Sequence, residues 1–276
     1  MTDQAQVTAS INGIIDSLYF QTADQTYIVA RWCSIQRLSP DFIWNAIHAL
    51  EKYLKAAILR NGGSVKDLDH DILLAYERLE KIAGDLLPAK LERPKDIELS
   101  YWRDCSPTDF MKRLMKNGGA AVRYNELGYV HSQLDLFLLD ELVFQIRRLC
   151  VDLTKQPYKR STPKTRRDFL KAQPDFANMQ FGKLDKLHRD KNASDELKQA
   201  AFNLNIRFAP EDFEHEGFRE GTNASNPALG RYIVRNLESK NPATRKVGKA
   251  VLKWYFDNNK VQKEIRKELS SVKIKS

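Results

Sequence analysis

Residues 41–61, DFIWNAIHALEKYLKAAILRN, restrict the fold more than any other stretch. At 3.6 residues per turn, Phe42, Ile43, Trp44, Ala46, Ile47, Ala49, Leu50, Tyr53, Leu54, Ala57 and Ile58 cover most of the circumference. Asn45, His48, Glu51, Lys52 and Lys55 share one narrow stripe. A helix apolar nearly all round belongs inside a bundle. The stripe is then its single outlet to water, a partner subunit or a ligand. Glu51 and Lys55 are also spaced to pair at i, i+4.

Helix signals continue along the chain. Five segments place a polar residue before proline: Ser39-Pro40, Ser106-Pro107, Thr162-Pro163, Asn226-Pro227 and Asn241-Pro242. The side-chain oxygen accepts from an orphan N–H of the first turn, and proline has no N–H to leave unpaired there. Asp109 adds a negative charge at the positive end of its helix. Gly62-Gly63 and Gly118-Gly119 follow apolar periodic runs and read as left-handed caps. These signals predict helices at about 11–20, 26–38, 41–61, 67–86, 107–117, 134–153, 163–172, 194–208, 227–238 and 242–269. No segment alternates with period 2, so the fold class is all-α. YWRDC (101–105) and RYNELGYVH (123–131) read as short strands or loops.

Charge divides the chain. Residues 1–154 carry 18 Lys+Arg against 21 Asp+Glu, and residues 155–276 carry 27 against 15. With TKQPYKRSTPKTRR (154–167) as a linker, the expected organisation is a helical bundle over 1–154 and a basic helical domain or extension over 155–276. The basic part favours an anionic partner, RNA or another nucleic acid. Cys33, Cys105 and Cys150 form no metal spacing and no disulfide framework, so they read as buried thiols of a reducing cytoplasm. The first residues lack the basic and apolar regions of a signal peptide, and no apolar run reaches membrane-spanning length.

Several pieces around the central helix then fall into one order. They are Ala30-Arg31, the run Ala49-Leu50-Glu51-Lys52-Tyr53-Leu54-Lys55-Ala56, the double glycine, His70-Asp71-Ile72-Leu73 and Arg123-Tyr124. Over about residues 24–153 this resembles the HEPN domain family. The resemblance implies an up-and-down bundle of four or five helices that commonly dimerises. It also implies one of two roles: a metal-independent ribonuclease using an arginine and a histidine four to six residues apart, or a non-catalytic partner of a nucleotidyltransferase in toxin–antitoxin, defence or stress systems.

The ribonuclease chemistry needs a histidine as general acid or base and a cation for the phosphorane charge. No arginine is followed by histidine at the family's spacing. The nearest pairs are Arg123 with His131 and Arg207 with His215, each with seven residues between; Pro210 separates the second pair, and the plain alternative for RYNELGY is a structural loop. A phosphate or nucleotide pocket is the other candidate, built from His48, Lys52 and Lys55 on the stripe with Arg31 and His70 beside it. The bland alternative is a solvated stripe. No metal-ligand pattern and no phosphate-cradling glycine loop occurs, so no metal or cofactor is implied.

In the last segment, Lys246, Lys249, Lys253, Lys260, Lys263 and Lys267 share one side of a continuous helix, while Val247, Val251, Trp254, Val261, Ile265 and Leu269 share another. That arrangement suits phosphate-backbone contact, provided Asp257-Asn258-Asn259 does not break the helix. The expectation is a cytoplasmic protein associated with RNA or nucleotides. The alternatives are a dimerising interaction module and an active ribonuclease.

Overall fold

The computed structural model describes residues 3–95, 97–99, 101–119, 122, 126, 128–157, 164–176, 182–217, 220–225, 227–259, 261 and 263–272. Among these residues the chain is mostly helical, with one two-stranded sheet. It divides into two compact units. Unit 1 is Met1–Gly118 with Ser132–Thr222, and unit 2 is Gly119–His131 with Asn223–Ser276.

Unit 1 opens with α1 (Asp3–Ile15), a π-helical turn at Asp16–Phe20, and α2 (Gln21–Ile35). The backbone stays helical through both junctions, so the expected break between 20 and 26 is absent. No proline or glycine lies between residues 20 and 26. Thr22 and Thr26 turn their hydroxyls back to the carbonyls of Leu18 and Thr22, at 2.7 and 2.8 Å, instead of capping a new helix.

The central helix is α3 (Ser39–Arg60), packed by α2, by α4 (Ile72–Ala83), by α5 (Pro107–Asn117) and by α6 (Asp135–Arg147). Phe42, Ala46, Leu50, Tyr53, Leu54 and Ala57 are fully buried, as an inner helix requires. Its end is a Schellman turn. Gly63 N–H reaches Ile58 O at 2.9 Å, Gly62 N–H reaches Leu59 O at 3.2 Å, and Gly62 sits at φ 80°. The other double glycine differs. Gly118 has φ −101°, and a Cβ there would collide with Ile47 of α3, so close approach rather than a left-handed cap selects the glycine. Asp71 caps α4, accepting from Leu73 and Leu74 N–H, so that helix begins later than residue 67. Ser106 caps α5 as expected. Thr162-Pro163 lies outside the described residues, and the following helix, α7 (Arg166–Ala172), is capped by Thr165 and Asp168.

The boundary expected at residue 154 falls inside unit 1. The helices α8 (Lys183–Leu187) and α9 (Asp195–Phe202) pack against α2, and Leu184, Leu187, Ala201 and Phe202 join the main core. The sheet pairs β1 (Val130–Ser132) with β2 (Thr222–Ala224).

Unit 2 holds a π-helical turn at Gly230–Val234, α10 (Arg235–Leu237), α11 (Pro242–Asn258) and α12 (Lys263–Ser270) around Ile233, Leu237, Tyr255, Ile265 and Leu269. Asn241 caps α11, accepting from Ala243 and Thr244 N–H. The helix ends before Asn259, which is extended at φ −130° and ψ 145°, so 242–269 is two helices and not one.

Candidate functional site

On the stripe of α3, Glu51 is the organising group. Its carboxylate accepts from Lys55 Nζ at 2.7 Å and lies 3.0 Å from His70 Nδ1 and 3.4 Å from His48 Nδ1. Lys55 also donates to the Asp69 carbonyl at 2.7 Å. Lys52 turns toward α2 and donates to Thr26 Oγ1 at 2.7 Å. The His48 ring meets Trp44 edge to face, with centroids 4.1 Å apart. Burial pushes the Glu51 carboxyl up, but the bonds from Lys55 and His70 outweigh it and hold the group below its ordinary range. Burial draws His48 below its ordinary 6.5 despite Glu51, and draws Lys52 down as well. His48, Lys55 and His70 therefore meet, but around a carboxylate. Glu51 is the buried centre of the group and His70 its exposed edge, so the charge of Lys55 is already countered by a carboxylate.

Arg31 does not join them. It is fully buried, paired with Asp140 of α6, and it donates through Nε to Ala200 O at 3.1 Å and through its guanidinium to Asn203 O. Tyr27 O–H donates to the same aspartate at 2.5 Å, and Asn205 donates to Tyr27 Oη at 3.1 Å. Burial raises the Asp140 carboxyl against the pull of Arg31 and Tyr27. A second buried cluster lies along the same helices. Arg147 grips Asp24 through two bonds of 2.9 and 3.0 Å, Tyr53 O–H donates to Asp24 at 2.6 Å, and Leu184 N–H donates to it at 2.9 Å. All these groups are occupied in joining α2, α3 and α6 to the segment that follows residue 182.

Of the expected ribonuclease pair, Arg123 lies outside the described residues and His131 is fully buried. A histidine with no exposed surface offers no face to a phosphodiester. Among the described residues, no group of three His, Cys, Asp or Glu is placed to hold a metal ion, and no helix is long and apolar enough to cross a membrane.

Unit 2 carries 14 Lys+Arg against 5 Asp+Glu, while unit 1 carries 31 of each, so the whole net charge of +9 belongs to unit 2. Lys246, Lys249 and Lys253 are exposed on one side of α11. Lys263 and Lys267 are exposed on α12, and Lys260 lies outside the described residues. The turn after Asn258 cancels the single six-lysine face, because the two helices no longer share a phase.

Beside the α11 lysines runs a groove of about 780 Å³. One wall is the turn bearing Leu229, Tyr232 and Ile233, and the other is Val247, Val251 and Trp254 of α11. Gly248 explains why the walls meet where they do. A Cβ there would lie 2.9 Å from both Asn236 Cβ and Leu237 N, so the two elements cross in contact at that point. Tyr255 anchors the floor by donating to Glu126 at 2.6 Å, and burial followed by that carboxylate raises its phenol. Trp254 and Tyr232 are 61% and 59% exposed.

No protein-family model, curated protein or solved structure matches the chain.

Half of this groove is visible in the sequence, since Val247, Val251 and Trp254 follow helical spacing. The Tyr232 wall carries no such signal. Its place depends on the crossing at Gly248, which only a tertiary structure supplies.

Proposed function

We propose that the chain is a cytoplasmic protein associated with RNA or another nucleic acid, in which unit 2 holds the phosphate backbone and unit 1 is a HEPN-like helical bundle. One observation carries the reading: the entire net charge of +9 is confined to unit 2, where Lys246, Lys249 and Lys253 present an exposed side of α11. Phosphate contacts release counterions, so such a face favours polyanions. The bundle reading is supported by the ordered residues Ala30-Arg31, Glu51-Lys52, Lys55-Ala56, Gly62-Gly63 and His70-Asp71, and by the inner position of α3. Buried thiols at Cys33, Cys105 and Cys150 suit a reducing compartment. Burial of His131 favours a binding role over catalysis by the Arg123–His131 pair.

The test is binding of full-length protein to a mixed RNA pool across a salt series, without added metal. Replacing Lys246, Lys249 and Lys253 by Gln should lower the slope of log affinity against log salt by about 2. Salt-independent binding, or an unchanged slope in the triple variant, refutes the reading.

A second reading, a dimerising interaction module, has its own support. Val7, Ile11, Ile14 and Leu18 are each more than half exposed and follow the 4-3-4 spacing of a helix–helix seam. Ile11→Asp with Ile14→Asp should convert a dimer to a monomer on sizing. A native protein already monomeric at high concentration removes this reading.

A further inference from the structure

We propose that the groove of unit 2 is a stacking site for unpaired nucleobases, so that the ligand class is single-stranded nucleic acid. The inference rests on the nucleic-acid reading above and specifies it.

Three features converge within unit 2. First, the two most exposed aromatic residues among the described residues of the unit, Trp254 and Tyr232, line one groove from opposite walls. Leaving such rings in water forgoes the burial that normally places them in a core. Here the core beneath is complete without them, because Ile233, Leu237, Tyr255, Ile265 and Leu269 fill it. Second, the groove is apolar along Leu229, Val247 and Val251, and its polar lining is the amides of Asn236 and Asn259 with the Glu126 carboxylate, which accepts from the Tyr255 hydroxyl. An apolar slot edged by amides suits a base, whose faces stack and whose edges hydrogen-bond. Its volume lies within the range of about 300–1,000 Å³ usual for ligand pockets.

Third, positive charge flanks the groove. Around α11, the buried side holds Gly248 and Tyr255 and the opposite side holds the lysines, with Val247 and Trp254 between them. Any base on Trp254 therefore brings its phosphates toward Lys246 and Lys253. Those two lysines are separated by seven residues of helix, roughly 10 Å at 1.5 Å per residue. Across the groove, Arg231 and Arg235 are exposed, with the Arg231 guanidinium 5.9 Å from the Tyr232 ring centroid. Aromatic platforms inside a basic groove bind single strands with little sequence preference. A duplex offers the same phosphates but keeps its bases stacked on one another. A membrane surface would need the apolar residues on a convex face, whereas these line a concavity.

The experiment uses full-length protein and labelled oligo-rU, oligo-dT and a duplex, each of about 12 nucleotides or base pairs, with anionic vesicles as a fourth probe. Single strands should bind about tenfold more tightly than the duplex, and Trp254→Ala should lower single-strand affinity by about tenfold while leaving duplex affinity unchanged. Trp254→Phe should restore most of the loss, since a phenyl ring still stacks. Single strands should quench tryptophan fluorescence in the native protein, and Trp254→Ala should lack that part of the quench. Comparing oligo-rU with oligo-dT separates RNA from DNA as the source of the base.

The two ideas fail differently. If the lysine variant weakens all nucleic acids but Trp254→Ala and Tyr232→Ala change nothing, the groove inference is overturned and the nucleic-acid reading stands. If no oligonucleotide binds, both are overturned. Vesicle binding lost in Trp254→Ala, without single-strand binding, also overturns the inference.

Discussion

Arg147 and Asp24 are a doubly bonded ion pair with no solvent exposure on either side chain, at 2.9 and 3.0 Å. The pair joins α2 to α6, and the Arg147 guanidinium also lies 4.9 Å from the Phe20 ring centroid and 2.9 Å from Asp185. Removing one partner leaves a buried charge without compensation, which costs about 3–5 kcal/mol. Arg147→Met should therefore destabilise unit 1 by that amount. Asp24→Leu combined with Arg147→Met should recover part of the loss, because Asp24 is then no longer stranded and only the less buried Asp185 lacks its arginine. Denaturant midpoints of the three proteins check this, and a single-variant loss below about 1 kcal/mol contradicts the structural role.

The same network fixes where the chain can be cut. Truncation after residue 154 removes Asp185 and the Leu184 N–H from the Arg147 cluster, and the Ala200 and Asn203 carbonyls from Arg31. Phe202 and Phe208 leave the core as well. The 1–154 fragment should lose cooperative melting and bind a hydrophobic dye, as an under-packed chain does. A sharp melt with no dye binding would show that the fragment is self-sufficient.

What the sequence discloses here is local. The wheel of 41–61 already describes an inner helix, and the caps at Ser106 and Asn241 operate through their own neighbours in the chain. The boundary of the first unit is not local. Arg31 and Asp140 are 109 residues apart and Arg31 and Asn203 are 172 apart, and no periodicity connects them. Charge counting drew a division at residue 154 because basic residues become frequent there. The segment 166–222 nevertheless belongs to unit 1, since its apolar side chains complete that core. Likewise the stripe on α3 is legible as a set of polar positions, but its conversion into a Glu51-centred cluster depends on His70 arriving from the loop before α4.

That cluster sets a pH dependence. His48 lies below its ordinary 6.5 because of burial, with Glu51 pulling the other way. A histidine depressed on folding binds protons more readily when unfolded, so stability falls as pH drops through the unfolded value near 6.5. Glu51 is also held low, and its contribution is present above its unfolded value and lost as pH falls below it. Both act in the same direction. Melting temperature should decline between pH 7.5 and pH 5.5, and His48→Asn should decline less over that window, since Asn does not titrate. Equal declines in the two proteins would remove His48 as the source.

Two glycines should respond to alanine with opposite signs. Ordinarily Gly→Ala inside a helix gains up to about 1 kcal/mol. At Gly13 in α1 a Cβ meets nothing within 4 Å, so Gly13→Ala should stabilise that helix. At Gly248 the same atom would sit 2.9 Å from Asn236 Cβ and from Leu237 N, and backbone cannot yield as a flexible side chain does. Overpacking of this kind costs about 1–3 kcal/mol, which exceeds the gain in helix propensity. Gly248→Ala should thus speed amide hydrogen exchange across 242–258, while exchange within α3 stays unchanged. Because the crossing at Gly248 sets the spacing between Tyr232 and Trp254, Gly248→Ala should also weaken whatever the groove holds. Slower exchange in α11 would mean that the crossing is looser than its 2.9 Å approach indicates.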